Sequence, residues 1–214
     1  MTFRYLKAAI VAATSILALT SAKADIEFEQ RGSVAYLHSH RLRPGDEETV
    51  RAFLESPQAQ GLRIIYMDSR GGNPAAGMAI GQMIRERGLD TGFNPRSGDR
   101  CPSACTAMFL GGVHRYYVGG GGIRDAANTK LGLGFHPPKH PSPEGEDTMN
   151  GYYRQMGAPG ATALRYHIYP RETLDQPFEG TGRRGVRMLY FVGSRTALRA
   201  GVATGTQAPA DERY

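Results

Sequence analysis

The stretch LRIIYMDSRGGNP, residues 62–74, contains the pattern that decides the fold. An apolar run of strand length, residues 62–67, leads into the polar, glycine-containing loop 69–73. Pro74 then begins a segment with apolar residues at helical spacing. Because this order of strand, loop and helix recurs along the chain, we predict one α/β domain with mostly parallel strands and right-handed connections.

Apolar periodicity and turn residues predict further elements on both sides of this unit. Strands are expected near residues 34–37, 89–93, 115–122, 130–135 and 188–192. Helices are expected near 46–56, 74–87, 103–110, 146–156, 159–168 and 194–200. The segments 94–100 and 170–185 are polar and rich in turn residues, so both are predicted to be irregular.

The N-terminal residues have the composition of an export signal. Two basic residues precede the apolar run 8–19, and Ala22-Lys23-Ala24 matches the small-x-small pattern that precedes a cleavage site. An uncleaved N-terminal anchor is the alternative, and in both cases the domain would lie outside the cytoplasm, in the periplasm or secreted. The predicted divisions are a signal peptide over 1–24, a domain over 25–204 and a disordered tail over 205–214.

The charge balance is moderately basic. The 214 residues include 26 Lys and Arg against 20 Asp and Glu, which gives a formal net charge of +6. The basic residues are scattered and form no basic helix with stacking aromatics, so nucleic acid is not predicted as a partner. Anionic lipid, cell-wall polymer or an acidic substrate would suit a basic exported protein, and a solvated surface is the simpler interpretation.

The two cysteines, Cys101 and Cys105, are four positions apart. In an oxidising compartment such a pair can persist as a disulfide. Residues at this spacing in a helix have Cα atoms about 6 Å apart, within the range of a disulfide. Two small buried apolar side chains are the alternative interpretation.

Ser103 lies between the cysteines, at the start of a predicted helix. A serine hydroxyl becomes a useful nucleophile when a base accepts its proton. Pro102 favours the first turn of a helix, and the N–H of Ala104 would then point towards a developing oxyanion. A serine that only caps the helix is the alternative.

A glycine loop and a histidine could complete an acyl-transfer site. Gly71 and Gly72 follow a predicted strand and could present a second oxyanion donor, although a plain strand-to-helix turn would also suit them. His136 ends a predicted strand before two prolines, which suits a general base, although such a histidine can be purely structural. Metal binding by His136 and His140 with the cysteines is disfavoured by the spacing, so no metal or cofactor is predicted.

Four segments in this order resemble the proteolytic subunit of the Clp protease, within the ClpP/crotonase superfamily. The similarity is strongest to exported bacterial relatives with a C-x-S-A-C motif. It implies a spiral of strand-strand-helix units, often assembled into rings, so a homo-oligomer is expected. The matching segments are 66–80, 101–112, 133–137 and 189–204.

The resemblance also assigns roles to the residues of the predicted site. Ser103 would be the nucleophile and His136 the general base. The oxyanion hole would consist of Ala104 with Gly71 or Gly72.

Two departures from the family pattern affect these expectations. The family's third catalytic residue, usually Asp, should precede the late strand, but residues 185–188 contain no carboxylate. Asp175 or Glu179 could substitute, or the site could be a Ser-His dyad. Arg70 stands where the family often has proline, and it would add positive charge beside the cleft.

The sequence therefore predicts an exported serine hydrolase, most simply a peptidase, acting on peptides or small acyl substrates. No ATPase partner is expected, because the compartment outside the cytoplasm has no ATP. The alternative is a catalytically inactive ClpP-like binding or scaffold protein of the cell envelope, which the missing Asp would favour. An acyl-CoA enzyme is disfavoured, because that compartment has no supply of CoA.

Overall fold

The computed structural model describes residues 25–118, 132–138, 140–166, 178–181, 187–191 and 194–210. The predicted signal peptide lies outside these ranges. Within them, no helix combines the length and the apolar composition that crossing a membrane would require.

The described residues form nine strands and six α-helices. The strands are β1 (Ile26–Arg31), β2 (Val34–Ser39), β3 (Ile64–Ser69), β4 (Asp90–Phe93), β5 (Arg100–Pro102), β6 (Arg115–Tyr117), β7 (Gly132–Phe135), β8 (Phe178–Thr181) and β9 (Arg187–Phe191). The helices are α1 (Asp46–Glu55), α2 (Pro74–Glu86), α3 (Ala104–Leu110), α4 (Pro143–Gln155), α5 (Ala161–Arg165) and α6 (Ser194–Arg199). Short 3₁₀ turns cover Pro57–Ala59 and Pro95–Ser97.

The strands form two sheets. The first has five strands in the order β1-β2-β3-β4-β6, and the second has four in the order β5-β7-β9-β8. Strands β2, β3, β4 and β6 pair in parallel, as do β5 and β7. Pairing is antiparallel between β1 and β2 and for both pairs that involve β9. The α/β prediction is confirmed, and parallel pairs outnumber antiparallel pairs among the described strands by four to three.

The helices α2 and α3 pack closely, and this contact fixes the position of α3. Every residue of α3 is buried. A Cβ atom on Gly77 would lie 2.5 Å from the carbonyl oxygen of Ala104, and one on Gly81 would lie 2.6 Å from that of Ala107. Because both distances are far below van der Waals contact, the two glycines of α2 allow α3 to approach its backbone.

The guanidinium of Arg85 satisfies the C-terminal end of α3. It donates to the carbonyl oxygens of Leu110, Gly111 and Gly112, at 3.2, 2.8 and 2.7 Å. It also reaches the carbonyl of Met156 just beyond α4, at 3.2 Å. The last carbonyls of a helix have no donor within the helix. Arg85 supplies donors to those of α3 and so joins α2, α3 and the end of α4.

Three segments differ from the sequence-based expectation. Residues 26–31 form β1, and β8 lies within the stretch 170–185 that was expected to be irregular. Pro102 ends β5 and is not in the first turn of α3. These strands exist because a partner strand supplies their hydrogen bonds, which short-range patterns do not report.

The C-terminal residues 205–210 also differ from the expected disordered tail. The N–H of Tyr117 donates to the carbonyl of Gly205 at 3.0 Å, and Gly205 forms a parallel bridge with Tyr116. Ala208 is buried against a small cluster that includes Tyr36 and Tyr66. The segment therefore extends the packing at the β6 edge of the first sheet.

Candidate active site

Ser103 and His136 lie at the same end of two paired strands. Strand β5 pairs in parallel with β7, with Pro102 opposite Gly134. The N–H of Ser103 donates to the carbonyl oxygen of Gly134 at 2.7 Å. The Nε2 atom of His136 lies 2.8 Å from the Oγ atom of Ser103. The structure thus brings together the hydroxyl and the imidazole that the sequence analysis singled out.

The backbone of Ser103 is held in a strained conformation. Its φ and ψ are 60° and −128°, and it is the one non-glycine residue with positive φ among the described residues. Its side chain makes no capping hydrogen bond to α3. A strained turn between a strand and a helix is where the nucleophile of α/β-hydrolases is exposed, so this geometry is typical of a functional serine.

Gly71 packs directly behind Ser103 in the loop after β3. Its φ is 73°, in the region that favours glycine, and a Cβ atom there would lie 2.4 Å from the carbonyl oxygen of Pro102. The N–H of Gly71 donates to the Oγ atom of Ser69 at 3.1 Å. Gly71 therefore supports the turn, and its N–H is engaged by the hydroxyl of Ser69.

Gly72 and Ala104 both line the cleft that contains Ser103. Within the described part of the chain, neither of their N–H groups donates to a backbone or side-chain acceptor. The N–H of Leu42 and the N–H of Asn73 hold the same loop through bonds of 2.9 Å to Gly71 and Leu42. Two free backbone donors beside a serine hydroxyl are the composition of an oxyanion hole.

The second ring nitrogen of His136 has a backbone partner. Its Nδ1 atom lies 2.7 Å from the carbonyl oxygen of Pro137. A carbonyl oxygen can only accept, so this contact assigns the proton of a neutral imidazole to Nδ1. The Nε2 atom then has a lone pair directed at the hydroxyl of Ser103, which is the arrangement that a general base requires.

The third catalytic residue proposed from the sequence stays a prediction. Asp175 lies outside the described residues. For Glu179 the strand register is known: it is opposite Leu189 of β9, which in turn is opposite Phe135 of β7. Glu179 therefore lies in the cross-strand row of Phe135, the residue that immediately precedes His136.

Cys101 and Cys105 form a disulfide, with Cα atoms 4.9 Å apart. Cys101 is in β5 and Cys105 is in α3, and both are fully buried. The bridge therefore joins the strand to the helix on either side of Ser103. Of the two interpretations left open by the sequence, the structure has the disulfide.

The cleft around Ser103 has a volume of about 410 Å³, within the range of about 300–1,000 Å³ that ligand sites occupy. Its wall across from the serine is formed by α4 and α5, which the sequence analysis did not connect with the site. The spacing of Glu146, Met149 and Tyr153 on one helix face was the available signal. The residues of this wall that line the cleft are Ser142, Gly145, Glu146, Met149, Tyr153 and Arg165.

Arg70 and His140 line two different clefts. Arg70 lines a second, polar cleft with His38 and Asp68 and is not among the residues that line the Ser103 cleft. His140 lines the Ser103 cleft. The described residues contain no group of three or more potential ligands that could hold a metal ion.

Two carboxylates, one of them buried, lie at the start of β5. Burial raises the pKa of Asp99 from 3.8 to about 6, against the opposing effect of its hydrogen bond from Tyr36. Asp68 accepts a hydrogen bond from the N–H of Arg100 at 3.0 Å and lies 3.3 Å from the Nδ1 atom of His38. Strand β5, which leads into Ser103, is therefore held at its start by one ionisable cluster.

The fold as a whole is of the ClpP/crotonase type, as the sequence resemblance implied. Among solved structures the chain resembles the 1510-N membrane-bound stomatin-specific protease, with a TM-score of 0.50, 12% identity, and coverage of 86% of this chain and 83% of that chain. It also matches ClpP1 from Listeria monocytogenes, with a TM-score of 0.47, 14% identity, and coverage of 84% and 93%. A 1510-N protease complex with a substrate peptide matches with a TM-score of 0.48, 13% identity, and coverage of 85% and 78%. No protein-family model and no curated protein matches the chain.

Proposed function

We propose that this protein is an exported serine hydrolase, most simply a peptidase, in which Ser103 is the nucleophile and His136 is the general base. The observation that carries the proposal is the 2.8 Å contact between Nε2 of His136 and Oγ of Ser103. The strained backbone of Ser103 supports it, because a serine with a purely structural role has no need of that conformation.

The acylation step uses the groups of this site in a defined order. As Oγ of Ser103 attacks the substrate carbonyl carbon, its proton passes to Nε2 of His136. The developing oxyanion accepts hydrogen bonds from the N–H groups of Gly72 and Ala104. His136 then returns the proton to the leaving amine or alcohol, which departs and leaves an acyl ester on Ser103. A water molecule hydrolyses this ester by the same proton transfers.

The group that contacts Nδ1 of His136 affects the rate of acyl transfer. In a Ser-His-Asp triad the carboxylate stabilises the imidazolium that forms during attack. At His136 the Nδ1 proton faces the neutral carbonyl of Pro137, which orients the ring and stabilises a positive charge less than a carboxylate would. A site without a carboxylate at Nδ1 would turn over well below a full triad, since loss of the carboxylate's role costs about 10⁴ in kcat.

A peptide is the substrate class that we propose, since the 1510-N protein, which has a similar fold, is a stomatin-specific protease. Export is supported by the signal-like residues 1–24 and by the disulfide, which persists in an oxidising compartment. A homo-oligomeric ring is an expectation from the resemblance, which mass measurement under native conditions would test.

A fluorophosphonate probe tests this proposal, since it forms a covalent bond with an activated serine. Labelling should occur at Ser103 in the wild type and be lost in Ser103→Ala. The matched control is Ser97→Ala, which removes an exposed hydroxyl in the turn before β5 and should leave labelling unchanged. A folded wild type that is not labelled would identify the protein as a binding module and would refute the hydrolase proposal.

A further inference from the structure

Arg165 is a buried cation with part of its hydrogen-bonding capacity unused. Its side chain is 6% exposed, and its Nη2 atom lies 3.2 Å from Oε1 of Glu146. Its Nη1 atom is buried and has no hydrogen-bond partner among the described residues. Buried polar groups almost always have a hydrogen-bond partner, because a buried guanidinium nitrogen without one lowers the stability of the fold. We therefore expect an acceptor from a bound molecule at this atom.

The guanidinium of Arg165 is held in place by its surroundings. It lies 5.8 Å from the ring centroid of Tyr153 and 5.5 Å from that of Tyr166. Glu146 is already engaged by both partners: one carboxylate oxygen accepts from Arg165 and the other from the hydroxyl of Tyr166. Because Glu146 is used in this way, it is not available to satisfy Nη1.

Arg165 lines the same cleft as Ser103 and His136. A single molecule can therefore contact the serine hydroxyl and the guanidinium together. The other ionisable groups that line this cleft, within the described residues, are His136, His140, Glu146 and Tyr153. With Glu146 committed to Arg165 and Tyr166, the unused donors in the cleft favour an acceptor that carries negative charge.

We infer that Nη1 of Arg165 binds a carboxylate of the substrate, so that the cleft selects peptides with an acidic group near the scissile bond. Arginine matches carboxylates in charge and in the geometry of its donors. The carboxylate can come from an Asp or Glu side chain or from a free C-terminus. This inference rests on the proposed function, since it names the substrate that the Ser103 cleft would hold.

Binding to the Ser103→Ala protein tests the inference without any turnover. The probes are fluorescein-labelled hexapeptides of neutral residues with an amidated C-terminus, in which one Glu replaces Gln at each position in turn. A further probe is the neutral peptide with a free C-terminal carboxylate. Fluorescence anisotropy should show that at least one carboxylate peptide binds about tenfold more tightly than the neutral amide. The position of that carboxylate separates a side-chain source from a terminal one.

The substitution Arg165→Gln should remove this preference, whereas Arg154→Gln should retain it. Arg154 is an exposed arginine on α4, so its substitution removes the same charge outside the cleft. If Arg165→Gln does not fold, the double variant Glu146→Gln/Arg165→Gln serves instead, because it leaves no buried charge alone. A preference that survives the loss of Arg165 would overturn the inference.

Two further outcomes would also overturn the inference: all peptides binding within twofold of one another, or none binding at millimolar concentration. The failures of the two proposals are distinguishable. A wild type without fluorophosphonate labelling refutes the hydrolase, while a carboxylate preference that depends on Arg165 stands on its own as a binding property.

Discussion

Gly71 is in direct contact with Ser103: a Cβ atom built on Gly71 would lie 2.8 Å from the Cβ atom of Ser103. The same atom would lie 2.4 Å from the carbonyl oxygen of Pro102 and 3.0 Å from the backbone nitrogen of Ala104. The loop after β3 and the turn that carries the proposed nucleophile therefore determine each other's position. This contact explains why a glycine stands at position 71 independently of any role in hydrogen bonding to an oxyanion.

The substitution Gly71→Ala is expected to abolish fluorophosphonate labelling. The added methyl group would displace the turn at Ser103, and the positive φ would add strain of about 1–2 kcal/mol. The control is Gly61→Ala, at a φ of 78° with nothing within 4 Å of the added atom. It should lower the free energy of unfolding by the strain alone and keep the labelling. Equal labelling of both variants would contradict this account of Gly71.

The disulfide between Cys101 and Cys105 is expected to support both stability and the site. The double variant Cys101→Ala/Cys105→Ala should lower the free energy of unfolding by about 2 kcal/mol, since the bridge closes only a short loop. It should also slow labelling of Ser103, because the link between β5 and α3 on either side of the serine is lost. Calorimetry and labelling rates of the two proteins would measure both effects. Identical melting temperatures and rates would show that the bridge has no structural role.

The raised pKa of Asp99 predicts a defined pH dependence of stability. Asp99 is a buried residue, and burial raises the pKa of its carboxyl group to about 6 in the folded protein. The folded state therefore holds this proton more tightly than the unfolded chain, and stability should fall as the pH rises from about 4 through about 6. The loss amounts to about 3 kcal/mol and is complete above that range.

Asp99→Asn should remove this dependence, as denaturant unfolding at pH 4 and pH 8 would measure. The difference in unfolding free energy between the two pH values should shrink by most of that amount. Asp147→Asn, on an exposed position of α4, is the matched control and should leave the difference unchanged. The account is wrong if Asp99→Asn has the same slope as the wild type.

Arg85 is expected to stabilise the fold through its hydrogen bonds to the C-terminal end of α3. Arg85→Met would leave the carbonyl oxygens of Leu110, Gly111 and Gly112 without this donor. Unsatisfied buried groups of this kind cost about 1–3 kcal/mol each, so a loss of at least about 2 kcal/mol is expected in chemical denaturation. Arg96→Met, in an exposed turn, should change stability by less than about 0.5 kcal/mol. A similar effect for both variants would refute this role.

Much of the candidate site could be predicted from the sequence alone. The run 62–67, the loop after it and Pro74 define a strand, turn and helix through local patterns, and the structure has β3 and α2 there. Ser103 and His136 were recognisable because each stands at an element boundary with chemistry suited to acyl transfer. The spacing of the cysteines was compatible with their disulfide, because both residues lie within one short segment.

Other parts of the site depended on contacts between distant residues. Helices were predicted near α4 and α5, but their approach to Ser103 and the buried position of Arg165 were not. Gly71 and Gly72 are indistinguishable by local pattern, and only the hydroxyl of Ser69 shows which N–H is engaged. The register of β8, β9 and β7 puts Glu179 in the cross-strand row of Phe135, and local sequence patterns do not report such a pairing.

By itself, the sequence determined most of the segments that become strands and helices and the side chains that carry acid–base chemistry, because periodicity and residue type act over a few positions. Tertiary structure alone decided the strain at Ser103, its 2.8 Å contact with His136 and the carbonyl partner of Nδ1. Those features depend on the pairing of β5 with β7 and on the packing of α2 against α3. Such contacts join residues far apart in the chain, and the free energy that selects them comes from burial of the whole core.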